Sequence, residues 1–422
     1  MLDINLIRNK PNWVKAEIAK LNTKAPIDQI LALDLRRRSL LQQAEELKHT
    51  RNVVSKEIGR MRDPAARQAK IAQMRTVSNQ IKALDEQIRQ IAGELYAAML
   101  WVPNLAHASV PPGPGEQDNV LVRQEGELRE FDFQPLPHWE LGPQLDIIDF
   151  ERGVKLSGTR FYLLKKMGSK LQRALIQWML DLHVEQHNYT EVSPPFMVRR
   201  EMMVGAAQLP KFEDNIYHDV EDDFWWLGTA EIALTNVHRD EILPAELLPI
   251  KYVAFTPCFR REKMSAGRDV RGIKRGHQFD KVEMYRFCTP ESSYHALEKM
   301  VEEAAAVCRG LEIPFRVVQM CTGDLGFQAA KKYDLEMWAP GCGEWLEVSS
   351  ISNCEDFQAR RANIRFRRQK GAKPEFVHTL NGSGLALPRV MIAILETYQQ
   401  ANGSITIPEA LRPYMRGATI IV

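Results

Sequence analysis

Residues 256–283 read TPCFRREKMSAGRDVRGIKRGHQFDKVE, and their order predicts a β-hairpin that gathers arginines, acids and an aromatic ring onto one platform. The run before it, 252–255, has strand character. Residues 277–285 read as the returning strand, because alternate residues of an extended chain share a face. The loop between them holds Gly267, Gly272 and the basic residues Lys263, Arg268, Arg271, Lys274 and Arg275, which suits it to meet an anion. Arg260 can clamp a phosphate through two parallel N–H bonds. Glu262 can orient an arginine or accept from an amine, and Phe279 can stack on a base. A charged surface hairpin would account for an isolated FRxE tetrapeptide but not for the whole run, which suits an enzyme that uses ATP.

Three other segments extend this reading. Residues 344–354 alternate polar and apolar positions as a half-buried strand does, with Glu347 and Ser349 on the polar face. Residues 380–396 read as a strand and a tight glycine turn, Gly382-Ser383-Gly384, feeding an apolar helix. Residues 170–187 form an amphipathic helix with Leu171, Leu175, Trp178, Met179 and Leu182 at helical spacing. Residues 189–196 then leave it as a strand whose Pro194 and Pro195 belong at a strand end or edge.

Cys258-Phe259-Arg260-Arg261-Glu262, with Arg275, His277, Gln278, Phe279, Lys281 and Glu283 following, resembles motif 2 of the seryl-tRNA synthetases, a class II aminoacyl-tRNA synthetase family, here of bacterial type. Residues 380–396 match motif 3 and residues 170–196 match motif 1. Similarity continues through 137–141, 157–162 and 356–361. Two departures stand out. Lys263-Met264-Ser265 replaces the Ala-Gly-Ser of many bacterial members, where the loop meets the acceptor stem. Pro388 replaces glycine before Arg389, and proline suits a first helical turn.

The resemblance implies an α+β fold: a mainly antiparallel class II sheet with flanking helices, preceded by an N-terminal antiparallel coiled-coil arm. It implies ATP-dependent ligation of L-serine to tRNA(Ser) through a seryl-adenylate, with tRNA(Sec) as a further substrate, by a homodimer joined through motif 1. The catalytic positions it implies are Arg260, Glu262, Arg275 and Arg389. ATP would also meet Arg261, Gly276, Phe279, Glu347, Val348, Ser349 and Ser350, with Mg²⁺ held by Glu347 and Ser350 against the phosphates, as a hard ion prefers. Serine would meet Thr229, Ala230, Glu231, Arg260, Glu283, Asn381 and Ser383. A pocket with buried partners for the serine hydroxyl is left unsatisfied by alanine or glycine, and its small volume clashes with the extra methyl of threonine. No strong general base is needed, because an amino-acid carboxylate is already ionised at neutral pH.

The N-terminal part has a different composition. Residues 26–99 lack Cys, Trp and Phe and carry one break, around Gly59 to Pro64. Beyond it Met74, Val77, Ile81, Leu84, Ile88, Ile91, Leu95 and Ala98 alternate spacings of three and four, the seam of a coiled coil. Before it Ile30, Leu33, Leu40, Ala44, Leu47, Val54, Ile58 and Met61 keep the same period, interrupted by Arg37 and Arg51. Folded together they predict a hairpin that projects roughly 50 Å at ~1.5 Å per residue. From Arg36 to Arg75, eleven Lys/Arg face four acids, although the whole chain carries a net charge of only +2, so the basic excess is local. It reads as a footprint for a nucleic-acid backbone. The resemblance assigns it to the long variable arm of tRNA, with Arg36, Arg37, Lys48, Arg51, Lys56, Arg67, Lys70 and Arg75 as contacts, and with Arg268 and Arg271 meeting tRNA from the catalytic domain.

A proline- and glycine-rich stretch separates the two compositions. The predicted organisation is a tRNA-binding domain over 1–101, a linker over 102–119 and a catalytic domain over 120–422. The 422 residues hold six cysteines without metal-ligand spacing, no signal-peptide core and no apolar run long enough for a bilayer, which predicts a cytoplasmic protein with reduced thiols and no membrane partner. Two rival classes remain open. A retired paralogue that binds RNA without charging it would be expected to have lost some of Arg260, Glu283, Glu347 or Arg389, and all are present. The long basic arm argues against a ligase that loads amino acids onto a carrier protein.

Overall fold

The computed structural model describes residues 1–263 and 271–422, so Arg268 and the Met264-Ser265 departure lie outside the described residues. The chain divides into two compact units. One comprises Leu2–Ala19 and Thr23–Pro103; the other comprises Asn104–Val422 together with Met1 and Lys20–Asn22.

In the first unit, α1 (Ile27–Arg60) and α2 (Pro64–Met99) are the two arms of the expected hairpin. Asp63 caps α2 by accepting from the Ala65 N–H at 3.0 Å, and Pro64 occupies the first turn, where its missing N–H costs nothing. Cross-links from Lys48 to Asp85 and from Lys70 to Glu57 set the two helices antiparallel. The buried seam uses Ile30, Leu40 and Ala44 against Met74, Ile81, Ile91 and Leu95. Leu47, Val54, Ile58, Met61, Val77, Leu84 and Ile88 of the expected seam are half-buried, and at one position an acid displaces an expected residue. Leu33 is only half-buried, and Asp34 takes the inner place with 1% of its side chain exposed. A carboxylate is tolerated there because Arg8 donates to it through Nε at 2.9 Å and Nη2 at 3.0 Å, and Arg38 through Nε at 3.1 Å.

In the second unit, eight of the described strands form one sheet. They are β1 (Val120–Glu125), β2 (Thr190–Glu191), β3 (Ile250–Phe259), β4 (Gln278–Cys288), β5 (Phe315–Gln319), β6 (Lys331–Ala339), β7 (Glu344–Asn353) and β8 (His378–Ala386), in the spatial order β1-β5-β6-β7-β8-β4-β3-β2. All pairs are antiparallel except β2 with β3. The helices α3 (Lys166–Glu185), α4 (Ser293–Gly310) and α5 (Leu387–Thr397) bury their apolar sides against it, with Leu175, Met179, Leu297, Ala304, Val390 and Ile394 in the shared core.

Two local expectations are corrected. The strand expected over 189–196 pairs with β3 only at Thr190 and Glu191. Pro194 and Pro195 follow and have no N–H for a ladder, and Met197–Arg199 pairs instead with Phe224–Trp226. Gly382-Ser383-Gly384 is not a turn: it lies inside β8, with a register shift between Ser383 and Leu385, and the chain passes directly into α5. The glycine at 384 is required by close packing, since a Cβ there would lie 2.8 Å from the His183 Nε2. The stretch expected as a linker is pinned to the second unit: Asn104 Nδ2 donates to the carbonyls of Gln328 and Cys354, each at 2.9 Å, and the His107 N–H donates to Ala330.

Candidate active site

Strands β3, β4, β7 and β8 present their alternate residues to one face of the sheet, where a cavity of roughly 420 Å³ opens. Its lining brings together Thr229, Glu231, Arg260, Glu262, Arg275, Gly276, Phe279, Glu283, Glu347, Val348, Ser350, Asn381, Ser383 and Arg389, from segments more than a hundred residues apart. Glu283 and Ser383 are direct partners in the β4–β8 ladder. Four expected residues of this unit are placed outside the lining. Ala230 is buried in the core before a short helix, and Ser349 Oγ donates inward to the Ser383 carbonyl at 2.6 Å. Arg261 turns away, its Nε donating to the Ile216 carbonyl at 3.0 Å and its guanidinium lying over the Tyr217 ring. Arg271 lies over the Trp139 ring, 5.9 Å from its centroid.

At one end of the cavity the charges are mostly positive. Arg260 donates through Nε to the Gly228 carbonyl at 3.0 Å, which orients its fork, and it lies over Phe279 at 5.2 Å. Arg275 pairs with Glu262 at 3.3 Å, the arginine-orienting role that the sequence allowed for that acid. Arg389, in the first turn of α5, donates to the Glu347 carbonyl at 2.5 Å and approaches its carboxylate at 3.4 Å. Glu347 keeps 45% of its side chain exposed; partial desolvation would push its carboxyl up, but Arg389, Lys332, Arg260 and Arg275 outweigh this and hold it below its ordinary value. The donors that Glu347 and Ser350 offer the cavity are oxygens only, a set that fits a hard divalent cation sharing its shell with phosphate. Asp334 faces Ser350 across the β6–β7 ladder.

The other end is more deeply buried. Glu283 is 1% exposed and its carboxylate meets the Lys281 ammonium, which also donates to Thr229 Oγ1 at 2.6 Å. Glu283 Oε2 faces that ammonium, while Oε1 has no hydrogen-bond partner among the described residues and retains acceptor capacity. Burial pushes the Glu231 carboxyl up to about 7, helped by the neighbouring Glu283 charge and opposed by Lys281. Gln358 Nε2 donates to Glu231 at 2.6 Å, while its Oε1 accepts from Tyr285 and Thr379, so a satisfied network fixes the acid in place. Lys281 was absent from the residues expected at the site, although its alternation with Phe279 and Glu283 on β4 was a usable signal. Lys332 carried none, and Gln358 lay within the similar run 356–361 without a role assigned to it. The arrangement can hold a polyanion at one end and a small zwitterion bearing a hydroxyl at the other.

Comparison with known proteins agrees with this geometry. A tRNA synthetase class II core domain (G, H, P, S and T) model matches residues 211–398, and a seryl-tRNA synthetase N-terminal domain model matches residues 1–106. The chain is 63% identical to the serine–tRNA ligase of Roseiflexus sp. (strain RS-1) over 422 residues, covering 100% of this chain and 99% of the relative. It is 59% identical to that of Thermomicrobium roseum over 417 residues, 99% and 94% of the two chains. The crystal structure of seryl-tRNA synthetase from Pyrococcus horikoshii complexed with ATP is similar at a TM-score of 0.93 and 39% identity, covering 100% of this chain and 99% of that one.

Proposed function

This chain belongs to the seryl-tRNA synthetases, enzymes that join serine to tRNA, and from that premise we propose that it does so in two steps, through a seryl-adenylate, on tRNA(Ser) and also on tRNA(Sec). The observation that carries the reading is one cavity that has arginines at one end and the buried Glu283–Ser383 pair at the other.

In the first step the serine carboxylate attacks the α-phosphorus of ATP; a carboxylate–phosphorus bond forms, the bond to the bridging oxygen breaks, and pyrophosphate leaves. Arg260 takes the α-phosphate and the serine carboxylate, Arg275 and Arg389 take the pyrophosphate end, and Phe279 takes the adenine ring. Glu283, Glu231, Thr229, Asn381 and Ser383 hold the serine amine and hydroxyl. Glu347 and Ser350 would hold Mg²⁺, which supplies charge neutralisation at the phosphates. Rate enhancement then comes from positioning and from fixed charges aimed where phosphate charge builds. In the second step the terminal ribose hydroxyl of tRNA attacks the seryl carbonyl and AMP leaves.

We assign residues 1–101 to tRNA binding, 102–119 to the connection and 120–422 to catalysis, in a cytoplasmic homodimer. No helix among the described residues is long and apolar enough to cross a membrane. The test is ATP–pyrophosphate exchange with each of the twenty amino acids. Exchange with serine alone, abolished in Glu283→Ala, is expected; no exchange with any amino acid would overturn the enzyme reading.

A further inference from the structure

Beneath the arginine end of the cavity, His138, Cys342 and Glu396 meet in the core, where both members of the His138–Glu396 pair have no exposed side-chain surface. Their ligand-type atoms lie within 4.8 Å of one another, but their hydrogen-bonding capacity is already committed. Glu396 Oε1 accepts from the His138 backbone N–H at 2.9 Å, from His138 Nδ1 at 2.8 Å and from the Cys342 thiol at 3.1 Å, and Oε2 accepts from the Cys342 N–H at 2.9 Å. With the proton on Nδ1, Nε2 is an acceptor, and it takes the Ile273 backbone N–H at 3.1 Å. Burial holds the imidazole pKa below its ordinary value against the pull of Glu396, in keeping with this neutral tautomer.

The two ends of this link are the elements that carry the phosphate-binding side chains. Ile273 is followed directly by Lys274 and Arg275, and all three line the cavity. Glu396 lies on α5 seven residues beyond Arg389, two turns along the same helix. Gly272 completes the fit: its φ is +67°, and a Cβ there would lie 1.9 Å from His138 Nε2, so the loop backbone reaches the imidazole only as glycine.

We propose that His138 is a positioning residue that, by bridging Glu396 and the Ile273 N–H, holds Arg275 in register with Arg389 for the ATP phosphates. This rests on the synthetase reading above. The test is pyrophosphate exchange by the full-length protein with ATP and serine varied separately. His138→Asn keeps an amide donor for Glu396 but has no acceptor at the Nε2 position, whereas His138→Gln places a carbonyl there. The Asn variant is expected to raise the KM for ATP roughly tenfold, the scale of one lost hydrogen bond, with the serine KM and the melting temperature near wild type, and the Gln variant to recover most of the loss. An unchanged ATP KM, or parallel shifts in ATP KM, serine KM and melting temperature without rescue, would overturn it. Should the Asn variant not fold, Gly272→Ala acts on the same contact from the loop side; an ATP-selective rise in KM supports the proposal and an unchanged one overturns it. Absent exchange in the wild type would fail the synthetase reading instead, so the two failures are distinct.

Discussion

A carboxyl held near pH 7 inside the more buried end of the cavity makes substrate binding depend on proton release. Burial first, and Glu283 second, bring Glu231 up to about 7. Its folded pKa is raised above the ordinary 4.5, so it stabilises the empty protein fully below pH 4.5, and that stabilisation is lost as pH rises through 7. Serine binding runs the other way. The incoming ammonium needs the carboxylate, so below pH 7 the acid must first give up its proton. Between pH 8 and pH 6 the KM for serine is expected to rise by about tenfold, one decade for one unit below the pKa, and Glu231→Gln is expected to bind serine more weakly with a flat profile. Pyrophosphate exchange across that range checks it; a wild-type profile as flat as the variant's would remove Glu231 from amine binding. Nothing in the spacing of Thr229-Ala230-Glu231 announces this. The shift arises because burial and the charge of Glu283, distant in sequence, outweigh Lys281 and the Gln358 hydrogen bond, which pull the other way.

At the scale of elements, the helical hairpin was legible because its period and its single break are local. The structure places the break within a few residues of expectation, and only the Leu33–Asp34 exchange escaped, since Arg8 on another helix neutralises Asp34. Burial alone would raise the Asp34 carboxyl, but Arg8 and Arg38 hold it below its ordinary value, so the contribution of this pair persists above pH 3.8 and is lost in acid. The arm's basic residues divide into two sets. Lys48, Lys70 and Arg37 are engaged with Asp85, Glu57 and Asp34, whereas Arg36, Arg51, Lys56, Arg67 and Arg75 carry no ion pair among the described residues. Replacing each of the latter by alanine is expected to weaken tRNA binding and to flatten its dependence on log salt concentration by roughly one unit per phosphate contact removed. Serine-dependent pyrophosphate exchange should stay intact. Filter binding at several salt concentrations reads this, and an unaltered slope would move the tRNA contact off that residue.

For the whole molecule, the edge strand β1 leaves Val120, Leu121 and Val122 each about half exposed, at 45%, 54% and 48%. That apolar edge is one end of the sheet; the homodimer proposed above is expected at the other, where motif 1 supplies β2 and leaves Phe196 39% exposed. Sedimentation is expected to give twice the 48.4 kDa chain mass, with Phe196→Asp shifting the protein toward monomer; a wild-type monomer at micromolar concentration would refute the dimer. Motif order, the hairpin arm, the basic excess and most cavity residues could be read directly from the chain. Each depends on a local period or on a contiguous run of chemistry-bearing residues, and the period states by which face a side chain leaves its element. It does not state what the side chain meets. The burial of Lys281 between Thr229 and Glu283, the near-neutral pKa of Glu231, the glycines placed inside β8 and the His138–Glu396 bridge were decided by tertiary structure alone, because each is a contact between segments tens to hundreds of residues apart, made when the sheet closes.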